Sequence, residues 1–230
     1  AVSQKTEDEQ SRSVSGALKA SIFALVAFLL GFAFSMTSSR HDVRRKLVLD
    51  EANAIGTLYL RAGVVEAQAG VQIRRLLREY VEARLQYFTN NADRAASRKN
   101  EAKMQNLLDE LWSLVEQLAK SDPTLVRTSL LLPAANEVID LSTTRQWAVG
   151  SHLPAPVAFL LIFGVVVSSI LAGHSSGQSR YRHFGLWASF NVLFVMVLYI
   201  VLDFDRPGRG LVQVNHSPLV ELQESMAVGE

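Results

Sequence analysis

The chain has 230 residues, 49 % of them hydrophobic, a net charge of +1 and no cysteine. Charge so near balance argues against the concentrated basic face that nucleic-acid binding needs, and the lack of cysteine excludes disulfides and thiolate metal sites. The apolar residues are gathered into three uncharged runs, Ala20–Met36, Leu153–Gly173 and Phe184–Leu202, with a long charged stretch between the first two, which is the pattern of an all-α membrane protein carrying a helical domain outside the bilayer.

Residues 1–16 are polar and lack apolar periodicity, so a loop or frayed tail is expected there, and they do not read as a secretory signal. The first transmembrane helix is predicted at 17–38, where about 20 residues suffice to cross a hydrocarbon core of roughly 30 Å. Lys19 near its start can snorkel to the interface. Within this span Ala24, Phe28, Phe32 and Ser35 fall four, four and three apart and share one helical stripe. Gly31 beside it lets a neighbouring helix approach. Two readings of the stripe stand open: a lipid-facing or helix-packing surface, or an oligomeric pore whose narrowest part is ringed by phenylalanines and gates by dewetting.

Residues 39–150 form the predicted helical domain. It opens on the basic cluster Arg40, Arg44, Arg45 and Lys46, and a helix over 43–61 is stopped by Gly63. Asp50, Glu51 and Asn53 lack a matching ligand cluster, so capping or intersubunit hydrogen bonding is favoured over metal binding. A helix over 68–89 places Ile73, Leu76, Leu77, Tyr80, Val81, Leu85 and Phe88 on one broad face, and Asn90–Asp93 breaks it. The next, over 96–120, carries Met104, Leu107, Leu108, Leu111, Trp112, Val115 and Leu118. Asp122-Pro123 ends that helix and starts another, which Pro133 kinks or breaks. Trp112 and Trp147 read as core or interfacial anchors.

The second transmembrane span is predicted at 153–173, a turning loop at 174–183, and the third span at 184–202. Asn191 in the third span is expected to hydrogen-bond a neighbouring helix, with pore lining as the alternative. Residues 203–230 form a tail. Flanking positive charge is modestly greater on the side of residues 39–150 (Arg40, Arg44, Arg45, Lys46, Arg145, Arg206 and Arg209) than on the other (Arg12, Lys19, Arg180 and Arg182). That bias places the helical domain in the cytoplasm.

Phe28-Leu-Leu-Gly-Phe32 followed by Ser35 and Arg40 resembles the second transmembrane helix of the bestrophin anion channels. Asp50-Glu-Ala-Asn-Ala-Ile-Gly-Thr57, Leu202-Asp-Phe-Asp-Arg-Pro207 with Gly210, and Pro218-Leu-Val-Glu-Leu222 are similar to the bacterial bestrophin-like membrane protein family. The resemblance implies a homopentamer in a bilayer, passing small inorganic ions, most simply anions, along the axis built by residues 17–38. Carried over by position, Ala24, Phe28 and Phe32 form the pore neck, and Ser35 and Ser39 line the vestibule. Ala24 stands where the family has a larger aliphatic residue, which widens one end. The resemblance further implies a span upstream of this chain, four in all, and a C-terminal segment, Pro218–Leu222, that straps a neighbouring subunit. The location expected is the bacterial inner membrane, multi-pass.

In eukaryotic bestrophins an acidic cluster after the last span holds calcium, which makes Asp203 and Asp205 the calcium candidates. Calcium needs six to eight oxygens and Arg206 follows at once, so salt bridging to Arg206, Arg209 or the Arg40 cluster is preferred. No phosphate-cradling glycine loop, nucleophile elbow or His-Glu-x-x-His is present, so neither an enzyme nor a cofactor is expected. The rival to a channel is a non-conducting accessory or scaffold subunit of a larger membrane complex. A pump ranks third, because the spans carry no buried charged relay.

Overall fold

The computed structural model describes residues 2–65, 67–89, 94–121, 126–178, 184–206 and 210–228, with the side chains of the first twelve residues and of a few at segment ends left aside. Seven helices are present among them: α1 (Val2–Arg61), α2 (Ala67–Thr89), α3 (Arg94–Ser121), α4 (Val126–Gly150), α5 (Ala155–Gln178), α6 (Phe184–Phe204) and α7 (Ser217–Val228). The breaks expected at Asn90–Asp93 and Asp122-Pro123 lie outside the described residues. Three stretches, Ser13–Arg61, Ser129–Ser175 and Phe184–Phe204, each hold a window apolar enough to cross a membrane. The second is interrupted at 151–154, between α4 and α5. Only 17 %, 17 % and 11 % of these windows is buried within the chain, so most of their apolar surface is left for lipid or other protein.

Two compact units result. The first is Ala1–Arg40 with His152–Arg206 and holds the apolar helices; the second is His41–Ser151 with Pro207–Glu230. In the first, Val26, Leu30 and Ala33 of α1 form a core with Leu161 and Val165 of α5 and Val201 of α6. Gly164 is needed where α5 meets α1, since a Cβ there would come within 3.0 Å of a Val26 methyl. Edge-to-face pairs, Phe23 with Phe190 at 5.2 Å and Phe34 with Phe204 at 5.9 Å, tie α1 to α6. In the second unit the apolar faces of α1, α2, α3, α4 and α7 share one core, with Ile55, Leu58, Ile73, Leu77, Leu111, Val138 and Leu219 almost wholly buried.

Several sequence expectations are corrected. The polar segment 1–16, expected as a loop or tail, is helical from Val2: once a helix is nucleated, each added residue gains a hydrogen bond, and no glycine precedes Gly16. The separate helices expected at 17–38 and 43–61 are one continuous α1. Thr37 does not end it, because its hydroxyl donates to the Ala33 and Phe34 carbonyls at 3.0 and 3.1 Å. Residues 174–178, expected in a loop, belong to α5, which continues to Gln178 with the Ser175 hydroxyl donating to Leu171 O at 3.0 Å; the rest of that expected loop, 179–183, lies outside the described residues.

Pro133 sits inside α4 without breaking it. Arg61 Nη1 donates to Leu130 O at 2.9 Å, close to where proline loosens the helical ladder. Among the described residues Asn191 hydrogen-bonds within its own helix, its amide donating to Trp187 O at 2.8 Å. Trp147 is 78 % exposed and Trp112 37 %, so neither is a core anchor within the chain. Within the chain Leu219 is buried and Leu222 lies against Gly56, where a Cβ would stand 3.3 Å from a leucine methyl, while Val220 stays 40 % exposed, so this packing is compatible with Pro218–Leu222 also meeting a neighbouring subunit.

Candidate functional site

The geometry of α1 in the first unit separates two faces. At about 100° per residue, Val26, Leu30, Ala33 and Thr37 occupy an arc of about 60°, and all four are buried. Ala24, Phe28, Phe32, Ser35 and Ser39 occupy an arc of about 80° on the opposite side, and all five are exposed. Phe28 is 69 % and Phe32 60 % exposed, so the described residues leave most of the two rings uncovered. Gly31 has open space about it. Aromatic surface of this extent needs lipid or another protein chain against it.

At the other end of the first unit, Asp205 is held by protein donors. Its Oδ1 accepts the Leu153 N–H at 2.6 Å and lies 3.9 Å from Arg40 Nη1. His152 Nδ1 is 3.6 Å from Oδ2 and 2.9 Å from the Asp205 carbonyl oxygen. Asp205 is thus paired with Arg40, and Asp203 is buried nearby in sequence. No group of three or more His, Asp or Glu side chains suited to a metal ion occurs among the described residues. Arg209 lies outside them.

The second unit contains a buried charged centre. Glu51 on α1 is fully buried. Its Oε1 accepts the Tyr80 hydroxyl at 2.7 Å and stands 3.3 Å from Arg84 Nε, both on α2. Its Oε2 is bonded by Arg145 Nη1 of α4. Burial pushes the Tyr80 phenol up, with Arg84 and Ser142 opposing, which keeps it a proton donor to Glu51. Burial pulls the Arg84 guanidinium below its ordinary value, with Tyr80, Tyr87 and Glu101 opposing. The capping or intersubunit role expected for Glu51 is therefore replaced by an ion-pair hub within the chain. Nearby on α1, buried Arg44 donates to the carbonyls of Ala148 at 3.0 Å and Ser151 at 2.6 Å, stabilising the end of α4.

His216 closes this centre. Its ring stacks on Phe88 with centroids 3.5 Å apart, and Arg145 Nη2 lies 3.5 Å from its Nδ1. Arginine carries only donors, so Nδ1 is the unprotonated nitrogen. Burial, then the positive charges of Arg145 and Arg84, lower the His216 pKa to about 3. The unfolded imidazole, near 6.5, binds a proton that the folded one refuses, so stability falls as pH drops from about 6.5 toward 3. Melting followed from pH 7 to 4.5 is expected to fall more steeply in the native chain than in His216→Gln. Parallel slopes would remove His216 from the acid response.

Sequence reading found the α1 stripe but missed Arg84, Arg145 and His216. A usable signal existed for the first two. Arg84 lies four residues after Tyr80 and Arg145 seven after Val138, so each occupies a position on an otherwise apolar helical face.

Three apolar helices, a second helical unit around a buried ion-pair hub, and an uncovered aromatic stripe define an all-α membrane protein. The family model described as the Bestrophin-like domain matches residues 1–219. The chain belongs to the Bestrophin-like family, whose fold is known for anion channels rather than for enzymes. It is similar in fold to crystal structures of a bacterial bestrophin homologue from Klebsiella pneumoniae. One point variant superposes with a TM-score of 0.76 at 15 % identity, covering 93 % of this chain and 88 % of that one. A second variant gives 0.77 at 15 %, covering 93 % and 86 %, and the homologue solved by zinc phasing 0.71 at 15 %, covering 91 % and 84 %. No curated protein matches the chain.

Proposed function

We propose that this chain is one subunit of a homo-oligomeric channel, a pentamer, that passes small anions passively across the bacterial inner membrane. The observation that carries the reading is the position of Ala24, Phe28, Phe32, Ser35 and Ser39. All are left uncovered by the chain itself, opposite the face that α1 buries. One helix encloses nothing, so a conduit needs identical copies around an axis. In such a ring Phe28 and Phe32 form a neck that dewets when narrow, Ala24 its wider end, and Ser35 and Ser39 line the vestibule with hydroxyls. Flanking positive charge favours the second unit lying in the cytoplasm. The salt-bridging role preferred for Asp205 over calcium binding is supported by its carboxylate meeting Arg40 and the Leu153 N–H.

Two measurements test the reading together. Native mass spectrometry of the detergent-extracted particle is expected to give five copies and no other polypeptide. Liposomes containing it are expected to release chloride without an energy source. A single copy bound to unrelated chains, in vesicles that do not leak, would establish the accessory-subunit role instead.

A further inference from the structure

The second unit contains a cavity of about 530 Å³ that the channel reading does not use, walled by Arg84, Tyr87, Arg98, Glu101, Met104 and Gln146. Arg84 is only 6 % exposed, yet its guanidinium is poorly answered. Among the described residues its polar partners are Glu51, at 3.3 Å from Nε, and the Met104 sulfur, at 3.8 Å from Nη1. Nε itself has no well-aligned hydrogen bond. A guanidinium has five N–H donors and a thioether is a weak acceptor, so the described residues supply Arg84 with few good acceptors. Glu51 divides its two oxygens among Arg84, Arg145 and Tyr80. About the cavity the positive charges of Arg84, Arg145 and Arg98 are met by the two carboxylates Glu51 and Glu101, which leaves one positive charge in excess; the Tyr87 and Phe88 rings lie 5.8 and 5.3 Å from the Arg84 guanidinium. A buried guanidinium with so few acceptors is costly unless a further anion completes its pairing.

The walls narrow the choice of anion. The space is far larger than a halide, and the Tyr87 ring and Met104 offer apolar surface for a carbon body. Glu101 on the wall opposes a second negative charge, which disfavours phosphate dianions and polycarboxylates. We propose that this cavity binds a small organic monocarboxylate, its oxygens on Arg84 with Arg98 at the rim, and its body against Tyr87 and Met104. The site lies wholly within the second unit, so it stands or falls independently of conduction.

Benzoate is a suitable probe, titrated by calorimetry into the full-length chain in detergent. Saturable binding of one benzoate per subunit is expected. Ala102 is exposed and lines the same cavity. Ala102→Trp is expected to abolish the binding by filling the space, and Arg98→Glu to weaken it about tenfold, both with unchanged particle size and melting temperature. Absence of saturable heat, equal binding in Ala102→Trp, or inorganic phosphate binding more tightly than benzoate would each overturn the proposal.

Discussion

Alanine at both Phe28 and Phe32 is expected to raise anion flux through reconstituted liposomes by about tenfold or more, equivalent to removing ~1.4 kcal/mol from the barrier. The two side chains are one turn apart on the uncovered face of α1. In a symmetric assembly each would contribute a ring of aromatic carbon with no hydrogen-bonding group, and water leaves such a constriction when it is narrow. Alanine widens it and lets water and hydrated ions remain. Because the rings make no contact in the core of their own chain, the substitution should not disturb the subunit's fold. Phe159 and Phe163, exposed on α5 and stacked on each other at 6.1 Å, supply the control. They lie off the α1 stripe, and alanine at both is expected to leave flux within about twofold, a change too small to signal a lost gate. Equal flux from the native and Phe28→Ala/Phe32→Ala assemblies, with the oligomer intact, would remove the two rings from the permeation path.

The features legible in the sequence are those that local spacing encodes. The apolar runs identify the spans because charge within a bilayer core is costly. The four-four-three spacing of Ala24, Phe28, Phe32 and Ser35 identifies the stripe because helical periodicity is local. The faces of α2 and α3 were legible for the same reason, and Leu76, Leu77, Leu107 and Leu111 are indeed buried. Helix ends were less legible. Thr37-Ser-Ser39 looks like a stop, but a hydroxyl that bonds back to a carbonyl within its own helix removes the reason to stop. The charged hub was illegible as a constellation. Glu51 and Arg145 are 94 positions apart, and only the packing of α1, α2 and α4 makes them partners. A sequence can show that a charged residue lies on an apolar face without showing which opposite charge meets it there.

That hub carries the largest stability effect expected in the molecule. Glu51→Ala leaves the Arg84 and Arg145 guanidiniums buried beside each other with no carboxylate between them, and the Tyr80 hydroxyl loses its acceptor. Breaking a buried pair by removing one partner costs about 3–5 kcal/mol, a large share of the 5–15 kcal/mol typical of a folded domain. The second unit is expected to melt about 10 °C lower or more, and the detergent-extracted particle to lose its uniform size. Glu51→Gln keeps an acceptor for Tyr80 but not the charge, and should fall between the native chain and Glu51→Ala. The triple change Glu51→Met, Arg84→Met, Arg145→Leu removes both charge and desolvation cost together. It is expected to recover most of the lost stability, because apolar residues of similar volume replace a buried ion pair at little net cost. Thermal melts of the three variants side by side separate the explanations. If the triple variant melts as low as Glu51→Ala, the shape of the arginine side chains matters more than their charge. If Glu51→Ala melts with the native chain, the hub contributes nothing to the fold, and its two guanidiniums must find another anion.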